Sequence, residues 1–153
     1  VLFIQRKVRR FLNAALDFVD YHYHYAASLL AVPPKALSSR QLARVDVLRQ
    51  PLVLPTSTRL AIFRYEILDL LDAGEPDLHD ICGRLQASGS FAVIYPRFGE
   101  VATESLAEPY FRLLERLDGK TSARTIALNL ALPSDEACEF LEFALAEGII
   151  CLP

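Results

Sequence analysis

The chain reads as an α+β protein: an N-terminal helical part packed on a C-terminal part built from a β-hairpin, three helices and a short closing strand. Three observations lead there. Apolar residues between Leu2 and Ala31 recur at the three-to-four spacing of a helix. The run Phe91-Ala92-Val93-Ile94-Tyr95 is too short for a helix and rich in β-formers. After it, Asp118-Gly119, Pro133 and Gly148 cut the remaining chain into helix-length pieces. With 153 residues, 52% of them hydrophobic, the chain can fill one ordinary domain or two small ones sharing a core.

In the first segment, Ile4, Val8, Leu12, Ala15, Leu16, Val19, Tyr23, Ala26 and Leu30 form the helical apolar pattern. Pro33-Pro34 stops it, because proline donates no backbone hydrogen bond and pushes its predecessor out of the α region. Ser38 or Ser39 caps a short helix running to about Leu48, which Pro51 closes. Leu52 to Pro55 is extended, Thr58 to Phe63 is strand-like, Tyr65 to Ala73 turns helical, and Asp77 to Gln86 forms another short helix. Ser88-Gly89-Ser90 then breaks the chain, dividing it into parts 1–88 and 89–153.

The second part opens with the strand Phe91–Tyr95, a turn at Pro96-Arg97-Phe98-Gly99 and a returning strand over Glu100–Glu104. Helices follow over Ala107–Leu117, Ser122–Ala131 and Ser134–Glu147, with Ile149–Leu152 as the closing strand. Hairpin, three helices and terminal strand is a winged-helix order.

Charge narrows the function. Residues 1–64 carry ten basic against three acidic side chains, a balance of +7; residues 65–153 carry six against sixteen, a balance of −10. The halves either attract one another or offer surfaces of opposite sign to different partners. A winged helix that binds DNA needs cations on its second helix-turn-helix helix to meet phosphates. Here Ser134–Glu147 holds Asp135, Glu136, Glu139, Glu142 and Glu147 and no Lys or Arg, which speaks against nucleic acid. No stretch is apolar enough to span a membrane, and Val1–Ile4 followed by Arg6 has the wrong order for a secretory signal, so the expected location is cytoplasmic. Cys82, Cys138 and Cys151 are widely spaced and odd in number, a poor disulfide or zinc framework.

The pattern Leu114-Glu115-Arg116-Leu117-Asp118-Gly119-Lys120-Thr121, then Ile126-Ala127, Leu132-Pro133, Phe140-Leu141 and Glu147-Gly148-Ile149-Ile150 resembles the PqqD-like domain, the RiPP recognition element. That family binds leader peptides of ribosomally made, modified precursor peptides, and the resemblance spans Phe91 to Leu152. The whole-chain order, with a helical portion before Thr58–Phe63 and Gly99-Glu100-Val101 leading into the winged helix, is similar to the small partner subunits of TIM-barrel multinuclear non-haem iron enzymes. Those pairs modify peptide cysteines, as in methanobactin and 3-thiaglutamate biosynthesis. The resemblance implies a non-catalytic subunit that recruits the precursor peptide, while the barrel holds the iron and this chain holds no cofactor.

Residue by residue, the apolar positions of 134–147 span about 220° of the helix, wider than the about 100–140° that covering one core requires. Either the helix is sandwiched against the N-terminal part, or Phe140, Phe143 and Ala144 line a groove beside Glu100, Val101, Ala102 and Thr103, where a peptide adds as an extra strand. Arg6, Lys7, Arg9 and Arg10 crowd a helix start that disfavours cations, which suits an acidic protein partner. Tyr21-His22-Tyr23-His24-Tyr25 places His22 and His24 about 200° apart on a helix, so they cannot chelate one metal. Tyr23 is expected to point inward and the His rings to sit at an interface, internal or with the partner. Glu66, Asp69 and Asp72 read as a solvated face. Six glycines, with no GxGxxG or P-loop spacing, offer no phosphate cradle, and no triad spacing surrounds His22, His24 or His79, so no catalytic residue is assigned.

Overall fold

A computed structural model describes residues 2–68, 71 and 89–153. The helix expected over Asp77–Gln86 and most of that over Tyr65–Ala73, together with Asp69, Asp72, His79 and Cys82, lie outside the described residues. The described elements run α1 (Leu2–Leu30), α2 (Ser39–Leu42), β1 (Pro51–Val53), β2 (Arg59–Phe63), β3 (Ser90–Arg97), β4 (Glu100–Leu106), α3 (Glu108–Glu115), β5 (Asp118–Ser122), α4 (Ala123–Asn129) and α5 (Ser134–Ala146). The protein is α+β, with all strand pairs antiparallel.

Strands β2, β3 and β4 form one sheet in that order, so β3 is central. Its side chains alternate between two cores. Ala92 and Ile94 turn to one face and join Ala14 of α1 with Ala61 and Phe63 of β2. Val93 and Tyr95 turn to the other and join Leu113, Leu114, Leu141, Ala144, Ile149 and Ile150 from the C-terminal helices. Residues 92 to 95 are all completely buried, which explains why Phe91–Tyr95 reads as an unbroken apolar run instead of an alternating one.

The second sheet pairs β1 with β5, and Val53 also bridges Cys151. β5 replaces the plain turn expected after the first C-terminal helix. Its start is held by the Asp118 carboxylate, which accepts from the backbone N–H groups of Lys120 at 2.8 Å and Thr121 at 2.7 Å. Gly119 takes φ +72, and a Cβ there would lie 2.6 Å from Val53 Cγ1, so the close approach of β1 requires glycine. The expected closing strand is thus a single bridge. Both sheets join strands from 1–88 to strands from 89–153.

Helix α1 packs on the sheet through a face other than the one its apolar pattern marks. Ala14, Asp17, Phe18, Tyr21 and Ser28 turn inward, whereas Ile4, Val8, Leu12, Leu16, Val19 and Tyr23 are each more than half exposed. The inward position expected for Tyr23 is therefore incorrect: it is 62% exposed, and Tyr21 takes the inner place, 6.3 Å from the Phe63 ring. The inner face was hidden in the sequence because it mixes small and polar residues with its aromatics.

Among those polar residues Asp17 is decisive. Its Oδ2 accepts from the backbone N–H of Arg64 at 2.8 Å and of Tyr65 at 3.1 Å, where the chain leaves β2, and Asp17 is 7% exposed. Two donors that lose their ladder partners at the strand end are satisfied by one buried carboxylate. Asp17→Ala strands both and is expected to lower unfolding stability by about 2–3 kcal/mol, read from urea denaturation. Asp17→Asn keeps one acceptor oxygen and should lose less.

Candidate functional site

Strand β4 is the edge of its sheet: among the described residues no strand pairs with its outer side. The β3–β4 hairpin closes on the Arg97–Glu100 pair through two residues with positive φ, Phe98 at 50° and Gly99 at 87°. This is the turn geometry whose twist matches paired strands. In such a hairpin the closing pair exchanges hydrogen bonds, and alternate pairs follow suit. Tyr95–Ala102 and Val93–Glu104 are then bonded pairs, whereas Val101, Thr103 and Ser105 direct their N–H and C=O groups outward. Pro96, opposite Val101, turns its nitrogen to a position beyond the end of β2 and so breaks no ladder bond.

The two sides of β4 are already engaged. Val101 packs against the α1 core and the Thr103 hydroxyl lies 3.2 Å from the Tyr21 hydroxyl. Ala102 and Leu106 pack against the larger core. What β4 leaves open is its backbone edge.

Helix α5 contributes unevenly. Phe140 is half-buried, with its ring 4.8 Å from that of Tyr110, and Phe143 is 46% exposed. Ala144 is completely buried in the core, under the backbone N–H of Ile149 that its carbonyl accepts, so its side chain offers a ligand no surface. The width of the apolar arc divides accordingly. Leu42 and Val47, in and after α2, cover one flank, and Phe140 and Phe143 remain at the other. Asp135, Glu136, Glu139 and Glu142 are exposed on the outer face.

A partly exposed ion pair fixes α5 to the hairpin. Arg97 Nε lies 2.6 Å from Glu147 Oε2, and Arg97 Nη2 donates to Glu147 Oε1 at 3.2 Å. Behind this pair the Tyr95 hydroxyl is buried with no partner at hydrogen-bonding geometry. Burial, then the charges of Glu104 and Glu147, push its pKa from 10.0 up to about 12. Beyond the hairpin tip, Pro33, Pro34, Phe98, Glu147, Ile150 and Leu152 border an open cleft of about 510 Å³. None of the seven residues expected to bind peptide lines it. Phe98, 95% exposed in a left-handed conformation that suits Gly or Asn, is the residue the sequence reading passed over. Its turn position, between Arg97 and Gly99, was the available signal.

The residues expected to meet a partner protein separate into two groups. Arg6, Arg9 and Arg10 are exposed on the turns of α1 that precede Ala14, which is buried. His22 Nδ1 donates to the Phe18 carbonyl at 2.7 Å and is exposed. His24 instead lies on an internal interface. Its side chain is 16% exposed, Nε2 is 3.6 Å from Asp20 Oδ1, and Arg59 Nε on β2 donates to its Nδ1 at 3.5 Å. Burial lowers its pKa, with Asp20 opposing and Arg59 reinforcing the shift.

Neither of the two described thiols has its pKa lowered towards a thiolate. Cys138 and Cys151 are free and half-buried, and burial raises both pKa values, that of Cys138 further through Glu142. Among the described residues no three His, Cys, Asp or Glu side chains cluster as a metal site. No helix among them is long and apolar enough to cross a membrane. No protein-family model matches the chain, and no curated protein matches it.

The Tyr95 phenol makes a pH prediction. Its folded pKa lies above its unfolded value, so the stability it confers is complete below pH 10.0 and is lost as pH rises through about 12. Tyr95→Phe removes both the titration and the unpartnered hydroxyl. Urea midpoints should then be unchanged, or higher by up to about 1 kcal/mol in stability, near neutrality. The loss seen in the parent between pH 10.0 and about 12 should shrink.

Proposed function

We propose that this chain is a non-catalytic, peptide-binding subunit that captures the leader of a ribosomally made precursor peptide as an added strand on β4. The observation that carries this reading is the β4 edge, unpaired among the described residues, with Phe143 of α5 46% exposed and Phe140 half-buried beside Tyr110 on the same module. Main-chain hydrogen bonds to Val101, Thr103 and Ser105 provide affinity without regard to sequence, and the aromatic rings select apolar side chains of the peptide. The resemblance of the Leu117-Asp118-Gly119-Lys120-Thr121 region to RiPP recognition elements points the same way. In this chain Asp118 to Thr121 lie in β5 and its carboxylate-held turn, a scaffold role, and the proposed ligand contacts are on β4 and α5.

The partner in this reading is a TIM-barrel multinuclear iron enzyme that oxidatively modifies a cysteine of the precursor. Exposed Arg6 and Arg10 at the start of α1 are the cationic surface offered to it, and iron belongs to the barrel. The acidic outer face of α5 disfavours a nucleic-acid partner.

Co-expression with a TIM-barrel enzyme and precursor encoded beside this chain is the direct trial. Co-purification of the enzyme and a binding isotherm for the precursor leader are expected. Absence of both removes the reading, and binding of the leader without the enzyme favours a free-standing leader chaperone. Val101→Pro deletes one outward N–H without removing a β3–β4 bond. It should weaken leader binding by about tenfold, the worth of one main-chain hydrogen bond in a shielded groove, with the circular-dichroism spectrum retained despite the lost Val101 contact with the α1 core. Equal affinity of Val101→Pro and parent would place the peptide elsewhere.

A further inference from the structure

The outward face of α1 is an apolar seam on which no described residue packs. Ile4, Val8, Leu12, Leu16, Val19 and Tyr23 are 51% to 68% exposed. Their spacing of four, four, four, three and four residues holds them within an arc of about 120°, directly opposite the face that packs on the sheet. The seam is about 28 Å long, and with Leu30, 85% exposed, it reaches about 39 Å. At about 10 Å wide it offers roughly 400 Å², the size of the largest apolar patch on a typical monomer, which is often functional.

Its order identifies the occupant. Reversed about a point between Asn13 and Ala14, the seam reproduces itself: Ile4 falls opposite Tyr23, Val8 opposite Val19, and Leu12 beside Leu16. The charges at its border obey the same reversal. Arg9 and Asp20 lie on the same flank of the seam, at helical angles within about 20° of each other. Both are exposed, and no carboxylate among the described residues pairs with Arg9. In an antiparallel pair of helices like flanks meet, so Arg9 of each copy approaches Asp20 of the other. In a parallel pair opposite flanks meet, so Arg9 and Asp20 of the two copies would lie on opposite sides of the seam and could not pair. We propose that α1 is a self-association surface on which a second copy of this chain docks antiparallel about a two-fold axis near residues 13–14.

The proposal is independent of the peptide-binding reading. β4 lies on the opposite side of α1, and Arg6 and Arg10 point away from the seam. An interface of two such seams, about 800 Å² in total, is small and favours reversible association in the micromolar range. Sedimentation equilibrium from a few to several hundred micromolar tests it. The parent is expected to shift with concentration from 17.1 kDa towards twice that mass. Val19→Glu, at a solvent-exposed position, should remain monomeric with an unchanged circular-dichroism spectrum and melting curve. Arg9→Asp and Asp20→Arg should each weaken dimerisation by about threefold to tenfold, and the double variant should recover it. A parent of constant mass across the range overturns the proposal, as does a dimer that survives Val19→Glu. Single charge variants that dimerise like the parent overturn the antiparallel register.

Discussion

Everything in this fold is arranged around a strand that must be covered twice. Ala92, Val93, Ile94 and Tyr95 are fully buried, and successive side chains of a strand point to opposite faces. One layer cannot satisfy such a segment. The C-terminal helices cover Val93 and Tyr95, and α1 covers Ala92 and Ile94. This constraint explains why the N-terminal helix belongs to the same folded unit. The described ion pairs run within each half, as at Arg49–Asp46 and Arg97–Glu147. What joins the halves is burial, together with the β1–β5 and β2–β3 ladders, while the Asp17 carboxylate ties α1 to the end of β2.

Covering both faces of the sheet leaves its edge as the open part. β4 has its side chains committed, Val101 and Thr103 to α1 and Ala102 and Leu106 to the helical module. Among the described residues no strand pairs with its outward backbone groups. A strand in that condition is a template for another strand. The rest of the molecule holds this edge in place: the two-residue hairpin sets its register, and the Arg97–Glu147 pair anchors the hairpin to the end of α5. The chemistry available there is hydrogen bonding and apolar contact, which suits a subunit that positions a peptide for another protein's active site.

Much of this architecture was legible in the sequence, and the failures have physical causes. Helices α1, α3, α4 and α5 announced themselves by period and by their Pro and Gly stops, and the β3–β4 hairpin by its apolar run and turn. β5 was not legible, because Asp118-Gly119-Lys120-Thr121-Ser122 is polar, and Asp-Gly after a helix reads as a stop. Its strand character comes from tertiary pairing with β1. The packing face of α1 was assigned to its strongest apolar stripe, yet the sheet selected Ala14, Asp17, Phe18 and Tyr21. Small residues allow close approach, and Asp17 meets donors that only the folded chain presents. Of the residues expected to bind peptide, Glu100 to Thr103 lie on the open edge and Phe143 is exposed. Ala144 was indistinguishable from them on a helical wheel, because a wheel shows the width of an apolar arc but not which part a neighbour covers.

The open β4 edge is the claim on which the functional reading stands, and residue-resolved amide hydrogen exchange tests it directly. A free edge predicts alternation along the strand: Val101, Thr103 and Ser105 exchange rapidly, while Ala102, Glu104 and Leu106, bonded to β3, are protected by orders of magnitude more. Slow exchange at all six amides of the isolated protein would mean that another segment already pairs with β4, and would contradict the account.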